Sequence, residues 1–333
     1  MLWGGRRSGS GRKPRYSARA QTTQQSQQRW RFMQLWDTHT PAGDGLEPHP
    51  QRQERSVSPL QVPGSKGWLV SWFRHYLLCW RKPRLFIEAF AGSAVLGLTM
   101  VVEDRVGQLL LVEKDPAYVE VWQTALGSDA AWLSKQVLAL APRRDAIKAV
   151  LLQEPTRRRE RAFQTLVKSR CYHRGRLTAG GGLLPNRPAS KEGIALPQAW
   201  RPTEVVKGLR ILQSIRRRVT VHHGCGLDVM AAHSDTRTTF TYADPPYPTA
   251  GTRMYVHGVI DMPALLGLCV KAQGPVVVSY ADDPQAATLA RQIGLNLITR
   301  TMRSGRNAPQ RELLISNRPL PPEPAQTEDE AAK

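Results

Sequence analysis

Apolar positions along the chain fall into short runs, and their order predicts strands alternating with helices. Gly67 to Trp80 is an apolar-rich stretch of helical length. Arg84 to Phe90 (RLFIEAF) is a brief buried run, the pattern of a strand covered on both faces, and it ends in a small-residue turn. Ala94 to Val102 continues as a helix, Gln108 to Glu113 (QLLLVE) as a second strand and Ala117 to Leu126 as a second helix. Much later come strands at Arg218 to His222, Thr239 to Ala243 and Pro275 to Tyr280, then a helix from Pro284 to Ile293. Leu297 to Met302 and Arg311 to Ser316 read as a closing hairpin. Strands and helices in alternation predict a mostly parallel sheet covered on both faces. No internal repeat is visible.

The rhythm breaks three times. Residues 1–58 lack apolar periodicity, are rich in Gln, Ser, Arg and Pro, and carry eight basic residues up to Arg31. They read as a disordered basic arm, either inert or ordering on a polyanion. The arm has no apolar core of a secretory signal; its Arg- and Ser-rich start is superficially that of a transit peptide. Residues 128–215 interrupt the two halves of the sheet, 59–127 and 216–318. This middle segment holds RRRER (Arg157 to Arg161), KSRCYHRGR (Lys168 to Arg176) and a glycine loop at Gly180–Gly182, and is predicted to be a mostly helical inserted recognition module. Residues 319–333 form an acidic, Pro-rich tail.

Composition narrows the partners. The 333-residue chain has 41% hydrophobic residues, enough for a sizeable core, and a formal net charge of +20. Such an excess attracts nucleic acid or, less often, an anionic membrane surface. Four cysteines lie far apart with no CxxC pair, so neither a zinc site nor a disulfide framework is expected. No apolar run reaches the ~18 residues of a membrane span.

Three local patterns carry chemistry. Asp244-Pro245-Pro246-Tyr247 follows directly on the apolar strand Phe240 to Ala243, where α/β sheets place ligands. Consecutive prolines stiffen that turn. A carboxylate beside a peptide carbonyl can accept both hydrogens of an aromatic amino group, pull its nitrogen toward tetrahedral geometry and point the lone pair at an electrophile. An aromatic residue there can stack on a base drawn out of a duplex. A Pro-rich turn capped by Asp would have the same composition. Phe86 to Ala94 (FIEAFAGSA) is a strand, small-residue turn and helix start, a cradle in which Gly92 lets backbone approach a ligand. Glu113 ends the next strand 21 positions after Gly92, near the spacing of an acid that accepts from ribose hydroxyls. Pro63-Gly64-Ser65-Lys66-Gly67 opens a helix and offers Lys66 to neutralise a carboxylate.

In this order, GSK, FAGSA, an acidic strand end and DPPY resemble the Dam-like adenine-specific DNA methyltransferases, over about residues 60 to 318. KSRCYHRGR with the glycine loop is similar to that family's base-contacting segment, and the insertion before DPPY matches its α-type motif order. Arg253-Met254-Tyr255, His257, Asp261, VVVSYADDP and RELLIS resemble its closing part. The resemblance implies a Rossmann-like S-adenosylmethionine-dependent methyltransferase fold with an inserted, mostly helical target-recognition domain. It implies S-adenosylmethionine contacts at Lys66, Glu113 and Asp244, with Glu88 and Gly92 lining the pocket, and catalysis at Asp244, Pro245, Pro246 and Tyr247. Three positions depart from the family: Val62 stands for an aromatic cofactor contact, Ala94 for the second glycine of the turn, and Cys225 for an Asp after the strand.

The expected reaction is methyl transfer to the 6-amino group of a flipped adenine in double-stranded DNA. Arg157, Arg158, Arg159, Arg161, Lys168, Arg170, Arg174 and Arg176 are expected to grip phosphates, with Tyr172 in the same nucleic-acid-binding segment. No metal and no membrane are required, and a monomer in the cytoplasm of a bacterial, phage or plasmid context is the expectation. An RNA adenine methyltransferase, a degenerate DNA-binding module and a Rossmann oxidoreductase remain alternatives. The last leaves DPPY unexplained and lacks a full GxGxxG.

Overall fold

Phe86 and Ile87 are neighbours on one strand, yet they enter two different cores, and this alternation organises the molecule. The structure is a computed structural model that describes residues 57–175, 177, 182–188, 194–247, 260–302 and 310–321. Within them, strands β1 (Leu85–Glu88), β2 (Gln108–Glu113), β3 (Val219–His223), β4 (Thr239–Ala243), β5 (Val276–Ala281), β6 (Asn296–Met302) and β7 (Gln310–Ser316) join in one sheet of order β3-β2-β1-β4-β5-β7-β6. The first five pair parallel, while β7 runs antiparallel to both β5 and β6. The order is Rossmann-like, with the chain reversal between β1 and β4 placing a crevice at the carboxyl ends of those strands. The expected α/β class is therefore what forms, with strand ends within a residue or two of those read from the sequence.

Helices cover both faces. On one lie α1 (Val70–Leu78), α2 (Val95–Val102), α3 (Pro116–Leu126), α4 (Ala130–Ala139), α5 (Arg144–Leu151), α6 (Arg158–Cys171), α7 (Leu196–Ala199) and α8 (Pro202–Ile215). On the other lie α9 (Gly226–Ala232), α10 (Met262–Lys271) and α11 (Pro284–Gln292). The first core centres on aromatic rings: Phe86 stacks on Phe240 at 5.4 Å, and Phe73 meets Tyr242 edge-on at 5.3 Å. Burying each such ring contributes roughly 1.5–3 kcal/mol, enough to fix α1 across β1 and β4. The second core is smaller and aliphatic, built on Ile87, Val112, Val278 and Ile315 against Leu265, Leu266 and Ala290.

Helices α4 to α8 pack into the first core rather than forming one of their own. Leu133, Val137, Phe163, Leu166, Trp200 and Leu209 share one apolar cluster with Phe86, Leu96 and Leu111. Trp200 Nε1 donates to Leu140 O at 3.0 Å within that layer. The long β2–β3 connection is thus a helical layer continuous with the sheet, a tighter integration than a separate inserted domain. Helices α9 and α10 were not anticipated; α10 is capped by Asp261, whose Oδ1 accepts from Ala264 N at 2.9 Å. Most of the N-terminal arm (1–56), most of the glycine loop, Arg176, residues 253–257 and the tail from 322 lie outside the described residues. No helix among the described residues is long and apolar enough to cross a membrane, and no group of three or more His, Cys, Asp or Glu is placed to hold a metal ion.

Candidate active site

Strand β4 is buried throughout and delivers Asp244 at its carboxyl end, on the crevice side of the sheet. Three donors converge on a single carboxylate oxygen. Asp244 Oδ1 accepts from Ser279 Oγ at 2.8 Å and from Tyr247 OH at 3.1 Å, and it pairs with Lys66 Nζ at 3.0 Å. Tyr242 extends the network beneath, its hydroxyl 2.8 Å from Ser279 Oγ. Among the described residues nothing donates to Asp244 Oδ2 or to the Pro245 carbonyl. The Asp244 side chain keeps 21% of its surface exposed. One oxygen is pinned, and among the described residues the other has no donor.

Lys66 is the hub of this arrangement. Its ammonium is 3.0 Å from Gly64 O, 2.9 Å from Tyr247 OH, 3.0 Å from Asp244 Oδ1 and 3.4 Å from Glu312 Oε1. Four acceptors already surround its three protons. Burial by itself would push Lys66 down, but the Asp244 and Glu312 carboxylates outweigh it and hold the group above its usual value. Burial pushes Glu312 up, and Lys66 offsets that only in part. The ammonium lies nearer Asp244, at 3.0 Å, than Glu312, at 3.4 Å. In this structure Lys66 serves Asp244 rather than standing free for a cofactor carboxylate. Tyr247, expected to stack on a base, directs its hydroxyl inward, and its ring meets Tyr280 edge-on at 5.2 Å.

The small-residue turn lies beside this hub. Ser65 Oγ is 3.0 Å from Ser93 Oγ, which ties the Lys66 turn to the Gly92 turn. Glu113 closes the ring: Oε2 accepts from Gly92 N at 2.8 Å, and Oε1 accepts from Lys114 N and Asp115 N at 2.9 Å each. Burial pushes Glu113 up, and these backbone N–H groups pull it back only in part. Gly92 takes φ +45, a left-handed conformation that favours glycine, and Val62 is the nearest atom to its open face, 3.9 Å from where a Cβ would lie. Ala94 is also left-handed, at φ 49, as the N-cap of α2. Glycine adopts this conformation freely, and alanine there costs about 1 kcal/mol.

Glu88 is placed below the crevice rather than on its wall. It is buried, and its Oε2 accepts from Gly97 N at 2.9 Å. Burial pushes its carboxyl up to about 8, with Asp244 adding repulsion and the Gly97 N–H pulling down. The folded state therefore holds a proton between pH 4.5 and about 8 that the unfolded chain releases. This contribution to stability is complete below the unfolded value and lost as pH rises through the folded one, on the order of 5 kcal/mol in all. Glu88→Gln is expected to flatten the decline; urea unfolding at pH 5.5 and 8.5 checks it, and an unchanged slope contradicts it. Gly97 makes room for this acid, since a Cβ there would lie 2.5 Å from Glu88 Oε2 and 2.6 Å from Leu109 Cδ1. Gly97→Ala is expected to lower stability by roughly 1–3 kcal/mol in the same assay.

The basic residues divide. Arg157 and Arg158 are exposed at the start of α6 and Lys168 is half-buried. Arg158 reaches Gln123 Oε1 at 3.4 Å. Arg159 pairs with Asp129 at 3.4 Å and lies over the Trp132 ring, and Arg161 pairs with Glu120 at 2.7 Å. Arg170 turns inward, donating to Pro59 O at 2.8 Å, and burial pulls it down to about 10. Tyr172 bridges to Leu183. The Arg174 side chain and Arg176 lie outside the described residues. These internal pairings occupy Arg159, Arg161 and Arg170, which were read as phosphate contacts; their partners lie 30 to 111 positions away. Ser279 and Glu312 were missed as site residues. Ser279, a lone hydroxyl among the valines of VVVSYA, was an available signal; Glu312, at the polar start of QRELLIS, offered none.

Neither a family model nor a curated protein matches the sequence. Among solved structures, the chain is similar to a candidate RNA methyltransferase from Pyrococcus horikoshii, at 9% identity and a TM-score of 0.34, over 86% of this chain and 97% of that one. It is also similar to a precorrin-6y C5,15-methyltransferase from Geobacter metallireducens GS-15, at 10% identity and a TM-score of 0.32, over 84% and 93%. The sheet order itself, not these distant likenesses, defines the fold as Rossmann-like α/β.

Proposed function

We propose that this protein is an S-adenosylmethionine-dependent methyltransferase acting on the 6-amino group of adenine in double-stranded DNA. The observation that carries the reading is the asymmetry of Asp244: Oδ1 is fixed by Lys66, Ser279 and Tyr247, while among the described residues nothing donates to Oδ2 or to the Pro245 carbonyl. Those two free acceptors suit the two hydrogens of one amino group. Accepting both draws the nitrogen lone pair out of the ring and aims it away from the protein. As the nitrogen bonds to the methyl carbon, the carbon–sulfur bond would break with its electron pair left on sulfur; the nitrogen gains the positive charge, which the adjacent Asp244 carboxylate stabilises without having to reorganise, until one amino proton is lost to water.

S-adenosylmethionine would supply an electrophilic methyl group on a sulfonium. The residues fit it in two respects. The left-handed Gly92 turn leaves space beside Val62, and Glu113 Oε2 keeps lone-pair capacity beyond its one backbone contact. Gly92, Glu113 and Asp244 would hold it. Lys66 would act on Asp244 instead. The net charge of +20 and the exposed Arg157 and Arg158 suit a polyanionic substrate. Extruding the base costs a few kcal/mol, to be met by those backbone contacts.

The test is transfer of tritium from methyl-labelled S-adenosylmethionine to duplex DNA, single-stranded DNA and RNA in parallel. Label in duplex DNA is expected. Label in RNA alone would move the reading to an RNA methyltransferase, and label in none would overturn it.

A further inference from the structure

A second cleft opens at the other edge of the sheet, where β1, β4 and β5 begin. Its volume is about 610 Å³, and Trp80, Arg81, Arg237, Gln273, Pro275 and Arg318 line it. The five residues of β4 separate it from Asp244 by about 16 Å, at ~3.3 Å per residue. It is therefore not part of the crevice described above.

Its charges are arranged and unbalanced. Arg237 Nε donates to Gln273 Oε1 at 3.0 Å, and Arg318 donates to Gln273 O at 2.5 Å. One residue thus holds both guanidinium groups in the same cleft. Among the described residues no carboxylate lines it, and none forms an ion pair with Arg81, Arg237 or Arg318. Burial pulls Arg318 below its usual value, and Arg237 adds like-charge repulsion. Two forks held together with no counter-charge among the described residues suit an anion with several acceptor oxygens, the geometry of a phosphate. Half-buried Trp80 and Pro275 supply an apolar wall beside them. The volume lies within the range of small-ligand sites, roughly 300–1,000 Å³, and exceeds what a bare phosphate would fill.

We propose that this cleft binds a phosphorylated ligand of nucleotide size, its phosphate between Arg237 and Arg318 and its ring beside Trp80. The site is independent of the methyltransferase reading. Calorimetry on the full chain tests it with uridine 5′-monophosphate, uridine and inorganic phosphate; a uracil ring avoids the adenine expected in the crevice. The nucleotide is expected to bind at least tenfold more tightly than either uridine or phosphate. Exposed Arg237 can be changed without disturbing the core, and Arg237→Ala is expected to weaken nucleotide binding at least tenfold. Arg318→Lys, which keeps the charge and loses the fork, is expected to weaken it several-fold. Asp244→Ala protein should bind the nucleotide as the parent does. Absence of nucleotide binding overturns the proposal, as does binding unchanged in Arg237→Ala. Arg237-dependent binding of a duplex oligonucleotide without binding of the free nucleotide also overturns it, assigning the cleft to nucleic-acid backbone.

Discussion

Asp244→Ala protein is expected to keep its fold and lose methyl transfer by about 100- to 1000-fold, the range found when one preorganised electrostatic group is removed. The side chain is one-fifth exposed and sits beyond the end of β4, so its loss leaves the aromatic core around Phe240 and Tyr242 in place. Its contribution lies in accepting an amino hydrogen through Oδ2 and facing the charge that grows on the nitrogen. Single-turnover rates with labelled S-adenosylmethionine, alongside circular dichroism, measure both halves of the expectation. A rate within a few-fold of the parent would remove Asp244 from the chemistry.

Lys66→Met is expected to be the most destabilising single change at the site, by roughly 3–5 kcal/mol, because it strips the counter-charge from a buried acid. Glu312 is 4% exposed, and its Oε2 has no hydrogen-bond partner. Lys66 is, among the described residues, the cation within 4.0 Å of both Glu312 and Asp244. Methionine keeps the apolar stem and removes the ammonium. Combining it with Glu312→Gln should restore part of the loss, since the second change removes one of the abandoned charges. Denaturant unfolding of the single and double variants reads the effect. A loss below about 1 kcal/mol for Lys66→Met would show that the ammonium is not what holds these acids.

Much of this architecture was legible because it is local. The run from Phe86 to Ala94 states strand, turn and helix start within nine residues, and β4 leads directly into Asp244. Their assembly into one crevice follows from parallel pairing of β1 with β2 and β4. What stayed hidden depends on contacts across long separations. Lys66 meets Tyr247 over 181 positions and Glu312 over 246, so its service to Asp244 could not be read from the GSK turn. No local pattern in 128–215 says what its helices pack on, and their apolar side joins the sheet's own core. Arginine runs read as phosphate contacts until Asp129 and Glu120 are brought beside them. Ala94 breaks a local preference for glycine at left-handed φ, and the fold tolerates it beside the Gly92 turn.

The most direct measurement is the identity of the methylated nucleoside. Duplex DNA treated with the protein and methyl-labelled S-adenosylmethionine, then digested to nucleosides and resolved by mass spectrometry, should carry the label in N6-methyldeoxyadenosine and lose it with Asp244→Ala. Label in a methylated cytosine, or label undiminished in the variant, would contradict an adenine amino group held by Asp244 Oδ2 and the Pro245 carbonyl.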